Sequence, residues 1–173
     1  GWVDHTDFSD FYLIRNSFGN NSITVAYSTI VDNQAQFASI NSHNGSDGNL
    51  QLFGSIIDDP GVAAVSVPST ALNGDAQCNI LGNDASVSNI PSNNNNFESI
   101  PAFIDRANQN YHLDPLLTMA IDRCEDSLYS IASVDIDGNF RGIDHPDYVN
   151  DTGLYDIGVD EVEFDIIFIN GFE

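Results

Sequence analysis

Ile23-Thr24-Val25-Ala26-Tyr27-Ser28-Thr29-Ile30 recurs 27 positions later as Leu50-Gln51-Leu52-Phe53-Gly54-Ser55-Ile56-Ile57. A shorter apolar stretch in front of it, Phe11-Tyr12-Leu13-Ile14, recurs 26 positions later as Phe37-Ala38-Ser39-Ile40. A weaker third copy follows as Val62-Ala63-Ala64-Val65 and Gln77-Cys78-Asn79-Ile80-Leu81. Two short apolar strands that repeat in step, with a period between about 20 and 30 residues, are typical of a β-solenoid.

The repeat also predicts how the strands pair. One copy cannot bury its inward-facing side chains alone, so each strand should pair in parallel with its counterpart in the next copy. The predicted stacking pairs are Ile23 with Leu50, Val25 with Leu52, and Ile30 with Ile57. The alignment also places Ser28, Ser55 and Cys78 in one column, which predicts a small residue where the chain bends. Stretches rich in Asn and Gly, such as residues 44–49 and 73–75, suit the turns between strands.

The charge of the chain limits its partners. Its 173 residues fit one domain, and 26 acidic residues face only four arginines and no lysine, for a net charge of −22. This charge repels nucleic acid and anionic membrane surfaces, so neither is an expected partner. An anionic polysaccharide would need calcium to bridge it to the protein. The acidic surface therefore indicates either adaptation to salty water or one or more calcium sites.

The chain divides into four predicted parts and a tail. Residues 1–10 should cover one end of the repeats with Trp2 and Phe8, residues 11–84 form three regular coils, and residues 85–96 form a surface loop. Residues 97–163, the closing segment, should form an irregular last coil, and residues 164–173 a C-terminal tail. No stretch approaches the roughly 18 apolar residues of a membrane-spanning helix. Because no capping helix precedes the first coil, we expect a trimmed piece, the C-terminal part of a longer protein.

The two cysteines, Cys78 and Cys124, predict a disulfide between the last regular coil and the closing segment. An even count suits a protein exported to an oxidising space, and the spacing fits neither a zinc site nor a redox motif.

The closing segment carries a set of motifs: Phe103, Tyr111-His112-Leu113, Ala120-Ile121-Asp122, Asp135-Ile136-Asp137-Gly138, Arg141 and Asp156-Ile157-Gly158-Val159-Asp160-Glu161. Together with Tyr27-Ser28-Thr29-Ile30-Val31-Asp32-Asn33, this set resembles the C-terminal part of secreted bacterial right-handed parallel β-helix proteins, the polymorphic-outer-membrane-protein-like or choice-of-anchor family. Leu117-Thr118-Met119 and Val159 depart from its usual pattern. The resemblance covers residues 11–163 and implies an all-β, right-handed parallel β-helix that is secreted or lies at the cell surface.

The acidic turn, residues 135–139, is a candidate calcium loop. Asp135, Asp137 and Asn139 place oxygen ligands at the first, third and fifth positions of an EF-hand pattern. Phe140 and Pro146 then stand where that pattern needs Gly and Glu. The alternative is a structural turn, in which an aspartate caps the backbone and pairs with Arg141.

Arg141 has many acids near it in the sequence, which predicts a structural salt bridge. Its expected partner is Asp156, with Asp122, Asp135 or Asp137 as alternatives. We interpret His112, between Tyr111 and Leu113, as a half-buried structural histidine rather than a metal ligand.

No catalytic group is predicted from the sequence. A lyase mechanism needs a basic side chain near the substrate, and four scattered arginines do not supply an obvious one. We therefore expect a non-catalytic extracellular or cell-surface domain, either a structural spacer or an adhesin that binds a glycan or another surface protein. The alternative is the C-terminal portion of a polysaccharide lyase or glycoside hydrolase with its catalytic coils upstream. The bare strand edge of the first coil predicts a homodimer through this N-terminal end.

Overall fold

The computed structural model describes residues 12–16, 23–33, 38–42, 50–66, 76–82, 94–116, 119–125, 133–150 and 152–163. These residues are essentially all-β, with one 3-10 helix at Arg106–Asn108. The strands are β1 Tyr12–Asn16, β2 Ile23–Ala26, β3 Thr29–Val31, β4 Ala38–Ser42, β5 Leu50–Phe53, β6 Ile56–Asp58, β7 Ala63–Ser66, β8 Ala76–Gln77, β9 Ile80–Leu81, β10 Phe97–Glu98, β11 Phe103–Asp105 and β12 Asn110–Leu113. None of the described residues form a helix long and apolar enough to cross a membrane.

Three parallel sheets stack the repeats on one another. Their strand orders are β1-β4-β7, β2-β5-β8 and β3-β6-β9-β10. In the second and third sheets, Ile23 pairs with Leu50, Val25 with Leu52, and Ile30 with Ile57, as predicted. The shorter strand is also in the predicted register, since Ile14 pairs with Ile40 and Ile40 with Val65. This arrangement is compatible with a β-solenoid.

A sharp corner divides each long apolar run into two strands. Tyr27, Gly54 and Cys78 occupy the corner with φ angles of 44°, 54° and 58°, a left-handed backbone that lets the chain change sheets. Gly54 also packs against the ring of Tyr27, where a Cβ atom would lie 2.7 Å from Cε1. A side chain at position 54 would therefore clash with the ring as well as strain the backbone.

The predicted alignment of Ser28, Ser55 and Cys78 is wrong at its third member. Ile56 pairs with Ile80, so the offset falls to 24 residues in the third repeat. Cys78 therefore corresponds to Gly54, and Asn79 corresponds to Ser55. The connection between β6 and β7, residues 59–62, is two residues shorter than its counterpart between β3 and β4, residues 32–37, so the offset falls from 27 to 25 residues there and to 24 by β8.

A ladder of polar side chains runs along the corner of the repeats. The backbone N–H of Ser28 donates to Ser55 Oγ at 3.2 Å, and that of Ser55 donates to Asn79 Oδ1 at 2.9 Å. Asn79 N–H in turn donates to Asn96 Oδ1 at 3.2 Å. Each side chain thus satisfies a buried backbone donor that the sheets leave unpaired at the bend.

Asn96 is therefore buried within this ladder. The prediction that residues 85–96 form a surface loop is wrong for Asn96. Phe97 and Glu98 follow it as a fourth parallel strand beside β9. The earlier part of the predicted loop, residues 85–93, lies outside the described residues, as do Trp2, Phe8 and the tail at 164–173.

Two apolar clusters form the core. The first lies inside the repeats and comprises Val25, Ile40, Leu50, Leu52, Ile57, Ala64, Val65, Ala76 and Leu81, with Ile14, Ile23 and Ile30 packed against it. The second joins the repeats to the closing segment and comprises Val31, Ile56, Cys78, Ile80, Phe103, Leu113, Ala120, Cys124 and Ile157. Full burial of one such large aliphatic side chain stabilises the fold by about 1.5–3 kcal/mol.

The closing segment does not continue the parallel pattern throughout. Its strands β11 and β12 form an antiparallel hairpin with an irregularity between Phe103 and Asp105. Farther along, the backbone N–H of Gly158 donates to Gly54 O at 2.8 Å, and that of Val159 donates to Thr29 Oγ1 at 3.1 Å. The last described residues thus return to the corners of the first and second repeats.

A disulfide joins Cys78 to Cys124, as predicted. The two Cα atoms lie 5.7 Å apart, within the usual range for a disulfide. Its 46-residue separation gives about 3–4 kcal/mol of stabilisation under the chain-entropy account.

Candidate functional site in the closing segment

Arg141 lies at the buried centre of the closing segment. Its Nη1 donates to Gly158 O at 2.9 Å, and its Nη2 donates to Asp156 O at 2.7 Å. The guanidinium carbon is 4.7 Å from the ring centroid of Tyr27, which lies in the first repeat. This stacking places a cation over an electron-rich aromatic face and ties the closing segment to the repeats.

The carboxylate that pairs with Arg141 is Glu161, whose Oε2 lies 3.5 Å from Nη2. The predicted partner Asp156 instead contacts Arg141 through its backbone carbonyl. The physical reason is that both carboxylate oxygens of Asp156 accept backbone N–H groups, from Asp122 at 2.8 Å and from Val162 at 2.7 Å. The sequence correctly predicted that Arg141 and Asp156 lie close together. It could not indicate which group of Asp156 would face the guanidinium.

Glu161 holds the backbone in the same way. Its Oε1 accepts the N–H groups of Gly142 and Ile143 at 2.7 and 2.9 Å, and its Oε2 accepts that of Asp156 at 3.1 Å. Glu161 is only 3% exposed and Asp156 only 1%. These carboxylates therefore hold the backbone of neighbouring loops together in a region that solvent does not reach.

Burial changes the titration of these acids. It raises the pKa of Asp156 to about 8, and the negative charge of Glu161 adds to this rise. Burial also raises the pKa of Glu161, against the opposing effect of backbone donors and Arg141. The pKa of Asp122 is raised by burial too, although His145 N–H donates to its Oδ2 at 3.1 Å. Raised carboxyl pKa values can mark catalytic acids, but here burial is the main cause of the rise, and the backbone hydrogen bonds act against it.

The acidic turn is organised by Asp135. Its Oδ1 accepts the backbone N–H groups of Asp137 at 2.9 Å and Asn139 at 2.8 Å, which is the capping role considered above. Asp135 is buried, and its Oδ2 is without a hydrogen-bond partner among the described residues. Calcium binding by Asp135, Asp137 and Asn139 is untested and stays a prediction.

A second group, the histidine–aspartate cluster, consists of His112, Asp137 and Asp160. One ring nitrogen of His112 and one carboxylate oxygen of each aspartate all lie within 4.8 Å of one another. Strand β12 positions His112, and the acidic turn positions Asp137. Asp160 is fixed by the backbone N–H of Leu113, which donates to its Oδ2 at 2.7 Å. Burial raises the pKa of Asp160, with smaller contributions in the same direction from the charges of Asp135 and Asp137.

Sequence reasoning found Asp137 but assigned His112 a structural role and passed over Asp160. No spacing rule could have found the cluster, since 25 residues separate His112 from Asp137 and 23 more separate Asp137 from Asp160. Only the return of the chain past β12 brings them together.

A partly buried ion-pair network joins the hairpin to the repeats. Arg106 Nη2 lies 2.6 Å from Asp32 Oδ1, and Arg106 also pairs with Asp58 of the second repeat. Tyr111 donates from its hydroxyl to Asp32 Oδ2 at 3.3 Å. The hydrogen bond from Arg106 holds the pKa of Asp32 below its ordinary value. This network has a bracing role, because Arg106 bridges two neighbouring repeats.

A small polar cleft of about 140 Å³ lies beside the disulfide. It is lined by Gln77, Cys78, Asn94, Asn95, Glu125 and Thr152. Amide, hydroxyl and carboxylate groups of this kind can hydrogen-bond sugar hydroxyls. Its size is below the roughly 300 Å³ of an ordinary small-molecule pocket, so it fits one face of a sugar ring at most.

Comparison of the chain with models of known protein families, with curated proteins and with solved structures found no match. The resemblance of residues 11–163 to secreted β-helix proteins therefore stays a prediction, and the function rests on the chemistry of the residues.

Proposed function

We propose that the chain is a right-handed parallel β-helix domain with three regular coils and a closing segment. In this proposal it acts outside the cell as a non-catalytic spacer that holds its surface loops in fixed positions. The parallel sheets, with each strand in register with the next repeat, support the fold. The disulfide supports export to an oxidising compartment.

The observation that carries the functional proposal is the use made of the buried carboxylates. A general acid or nucleophile must reach a substrate atom within hydrogen-bond distance. Asp156 and Glu161 are almost fully buried, and their oxygens accept backbone N–H groups or pair with Arg141. Their chemistry therefore serves the stability of the closing segment.

Surface recognition is the binding activity that this architecture allows. The polar cleft beside the disulfide offers amide and hydroxyl groups on a rigid frame, which suits weak contact with a neutral glycan. A neutral glycan is favoured over an anionic one because the net charge of −22 repels anions.

The experiment is a paired assay of binding and turnover. The purified chain is incubated with neutral and acidic polysaccharides, while new reducing ends and unsaturated products are measured and retention on immobilised glycans is recorded. We expect no products from any polysaccharide. Catalytic release of products would overturn the proposal in favour of a lyase or hydrolase.

The binding arm separates a pure spacer from an adhesin. Asn95 has a φ of 55°, so Asn95→Gly removes the amide from the cleft and keeps the backbone conformation. Retention on a neutral glycan that is lost in this variant, and kept in Asn150→Gly outside the cleft, indicates an adhesin. Absence of retention on every glycan indicates a spacer alone.

A further inference from the structure

The histidine–aspartate cluster has the geometry of a metal site, and it is independent of the function proposed above. Its three side chains come from strand β12, from the acidic turn and from the last described segment, at Asp160. The candidate ligand atoms lie within 4.8 Å of one another. Ligands at about 2.1 Å from one ion lie roughly 3–4 Å apart, so side-chain movements of about 1 Å would bring them into coordination.

The hydrogen bonds of His112 define its tautomer. Asn110 Oδ1 lies 3.2 Å from the backbone nitrogen of His112 and 2.6 Å from its ring Nδ1. The backbone N–H can only donate, so the shared atom of Asn110 is its oxygen and Nδ1 carries a proton. In a neutral ring, Nε2 then holds the lone pair. In a metal-binding histidine, the ring nitrogen that does not bind the metal usually donates a hydrogen bond of this kind.

Nε2 faces negative charge. It lies 3.0 Å from Asp137 Oδ2, and a lone pair and a carboxylate oxygen repel at that distance unless a proton or a metal cation lies between them. Asp160 adds a second carboxylate within reach. Asp135, the first residue of the same turn, is about nine-tenths buried, and its Oδ2 is without a hydrogen-bond partner among the described residues. The charge of Asp135 acts on Asp160, so the carboxyl group of Asp135 lies near the cluster.

We propose that His112 Nε2 and the carboxylates of Asp137 and Asp160 bind one divalent transition-metal ion of the Zn²⁺ type, with Asp135 supplying further negative charge. An imidazole ligand suits Zn²⁺ and related ions, whereas Ca²⁺ takes six to eight oxygen ligands. The side chains of His112 and Asp137 are 37% and 55% exposed, so the ion has a path from solvent and water completes its coordination. This ligand set differs from the calcium loop, because it includes His112 and Asp160 and leaves out Asn139.

The ion would act as a cross-link. It joins β12 to the acidic turn and to Asp160, three segments that are far apart in sequence. Because a cation that binds only the folded state stabilises that state, saturation with metal should raise the thermal midpoint of the whole chain.

The test is calorimetric titration of the chelator-treated chain with Zn²⁺ and separately with Ca²⁺. We expect one saturable Zn²⁺ equivalent, weakened about 100-fold or more in His112→Gln and Asp137→Asn. Asp147→Asn, which removes an exposed carboxylate outside the cluster, serves as the matched control and should bind as the unmodified chain does. Circular dichroism checks the fold of each variant, and Asp137 is exposed enough for its replacement to leave the fold intact.

Asn110 offers a sharper control, because it acts through His112 as a positioning residue. Asn110→Leu removes the acceptor for Nδ1 and should weaken Zn²⁺ binding about 10–100-fold, whereas Asn110→Asp keeps the acceptor and should keep the affinity. In the unmodified chain, Zn²⁺ should move the Nε2 resonance of His112 in nitrogen NMR spectra.

Three results would overturn the proposal. The first is Zn²⁺ binding that does not saturate at one equivalent, as expected for diffuse attraction to a chain of charge −22. The second is equal affinity in His112→Gln and the unmodified chain. The third is tight Ca²⁺ binding that depends on Asn139 and not on His112, which would establish the calcium loop instead.

Discussion

The backbone N–H of Ser55 donates to Oδ1 of Asn79 at 2.9 Å, from the corner of one repeat to the corner of the next. Asn79 is fully buried, and its Nδ2 also donates to Leu52 O at 2.9 Å and to Asn96 Oδ1 at 2.7 Å. One side chain therefore connects the second repeat, the third repeat and the strand that follows. Because it serves donors and acceptors that water cannot reach, its loss leaves several of them unsatisfied.

Asn79→Ala should destabilise the chain by about 2–4 kcal/mol, since the N–H of Ser55 and the carbonyl of Leu52 both lose their partner. Asn79→Ser keeps a short acceptor like that of Ser55, and should cost less. Urea denaturation midpoints measure the difference. Equal loss in the two variants would show that packing volume, and not the ladder, matters at this position.

Arg141→Ala should destabilise the chain by about 3–5 kcal/mol, because Glu161 would remain buried without its cation. The side chains of Arg141 and Glu161 are 1% and 0% exposed, so solvent cannot replace the lost partner. Arg123→Ala, at a less buried arginine of the same segment, is the control and should cost about 1 kcal/mol or less. A comparable loss in both variants would contradict the specific role of Arg141.

Reduction of the Cys78–Cys124 disulfide should lower the free energy of unfolding by about 3–4 kcal/mol under the chain-entropy account. Cys124→Ala should give a similar loss under oxidising conditions, and reducing agent should have no further effect on that variant. Denaturation with and without reducing agent makes the comparison. If reduction leaves the midpoint unchanged, the closing segment is held by its hydrogen bonds and apolar contacts alone.

Stability should fall as the pH rises from about 4 to 8. The folded-state pKa of Asp156, about 8, lies above the ordinary value of 3.8, so the folded chain binds this proton more tightly than the unfolded chain does. The resulting contribution is complete below the unfolded pKa and is lost as the pH rises through the folded one. Asp122, Asp160 and Glu161 act in the same direction.

Asp156→Asn should flatten this pH dependence, because asparagine imitates the protonated acid. Asp147→Asn removes one exposed charge and should leave the slope of thermal midpoint against pH unchanged. Parallel slopes in all three proteins would show that general repulsion among the acidic residues, and not Asp156, sets the pH dependence.

The N-terminal end of the sheets should support self-association. Strands β1, β2 and β3 each lie at one edge of their sheets, and no strand among the described residues pairs with that edge. We expect a two-fold dimer at micromolar concentration, measured by sedimentation or light scattering. A monomer of 18.8 kDa would show instead that this edge is covered within the chain.

The sequence predicted the parts of the fold that local repetition specifies. Ile23 and Leu50 share a period and a chemistry, so their pairing could be read from spacing alone. The corners could not be predicted from spacing, because Tyr27, Gly54 and Cys78 have nothing in common as residue types and share only a left-handed backbone. The prediction for Cys78 failed for the same reason, since it placed Cys78 opposite Ser55 at an offset of 23 residues, whereas the strands pair at an offset of 24.

The side-chain partners in the closing segment could not be predicted from the sequence, for a different reason. In a chain with 26 acidic residues, any arginine has many possible partners, and only the folded path selects Glu161 for Arg141. The histidine–aspartate cluster likewise depends on where the chain returns past β12. Contacts between distant segments carry no periodic signal.

The hydrogen bond from Val159 to Thr29 spans 130 residues and has a bearing on the order of folding. The entropy lost in closing so long a loop has to be offset by contacts that already exist, so the repeats should form before the closing segment docks. A chain emerging N-terminus first can assemble its repeats while the last residues are still being made. Docking of residues 156–163 onto the corners of the first two repeats should then be a late folding step, because it requires strands that are already stacked in the correct register.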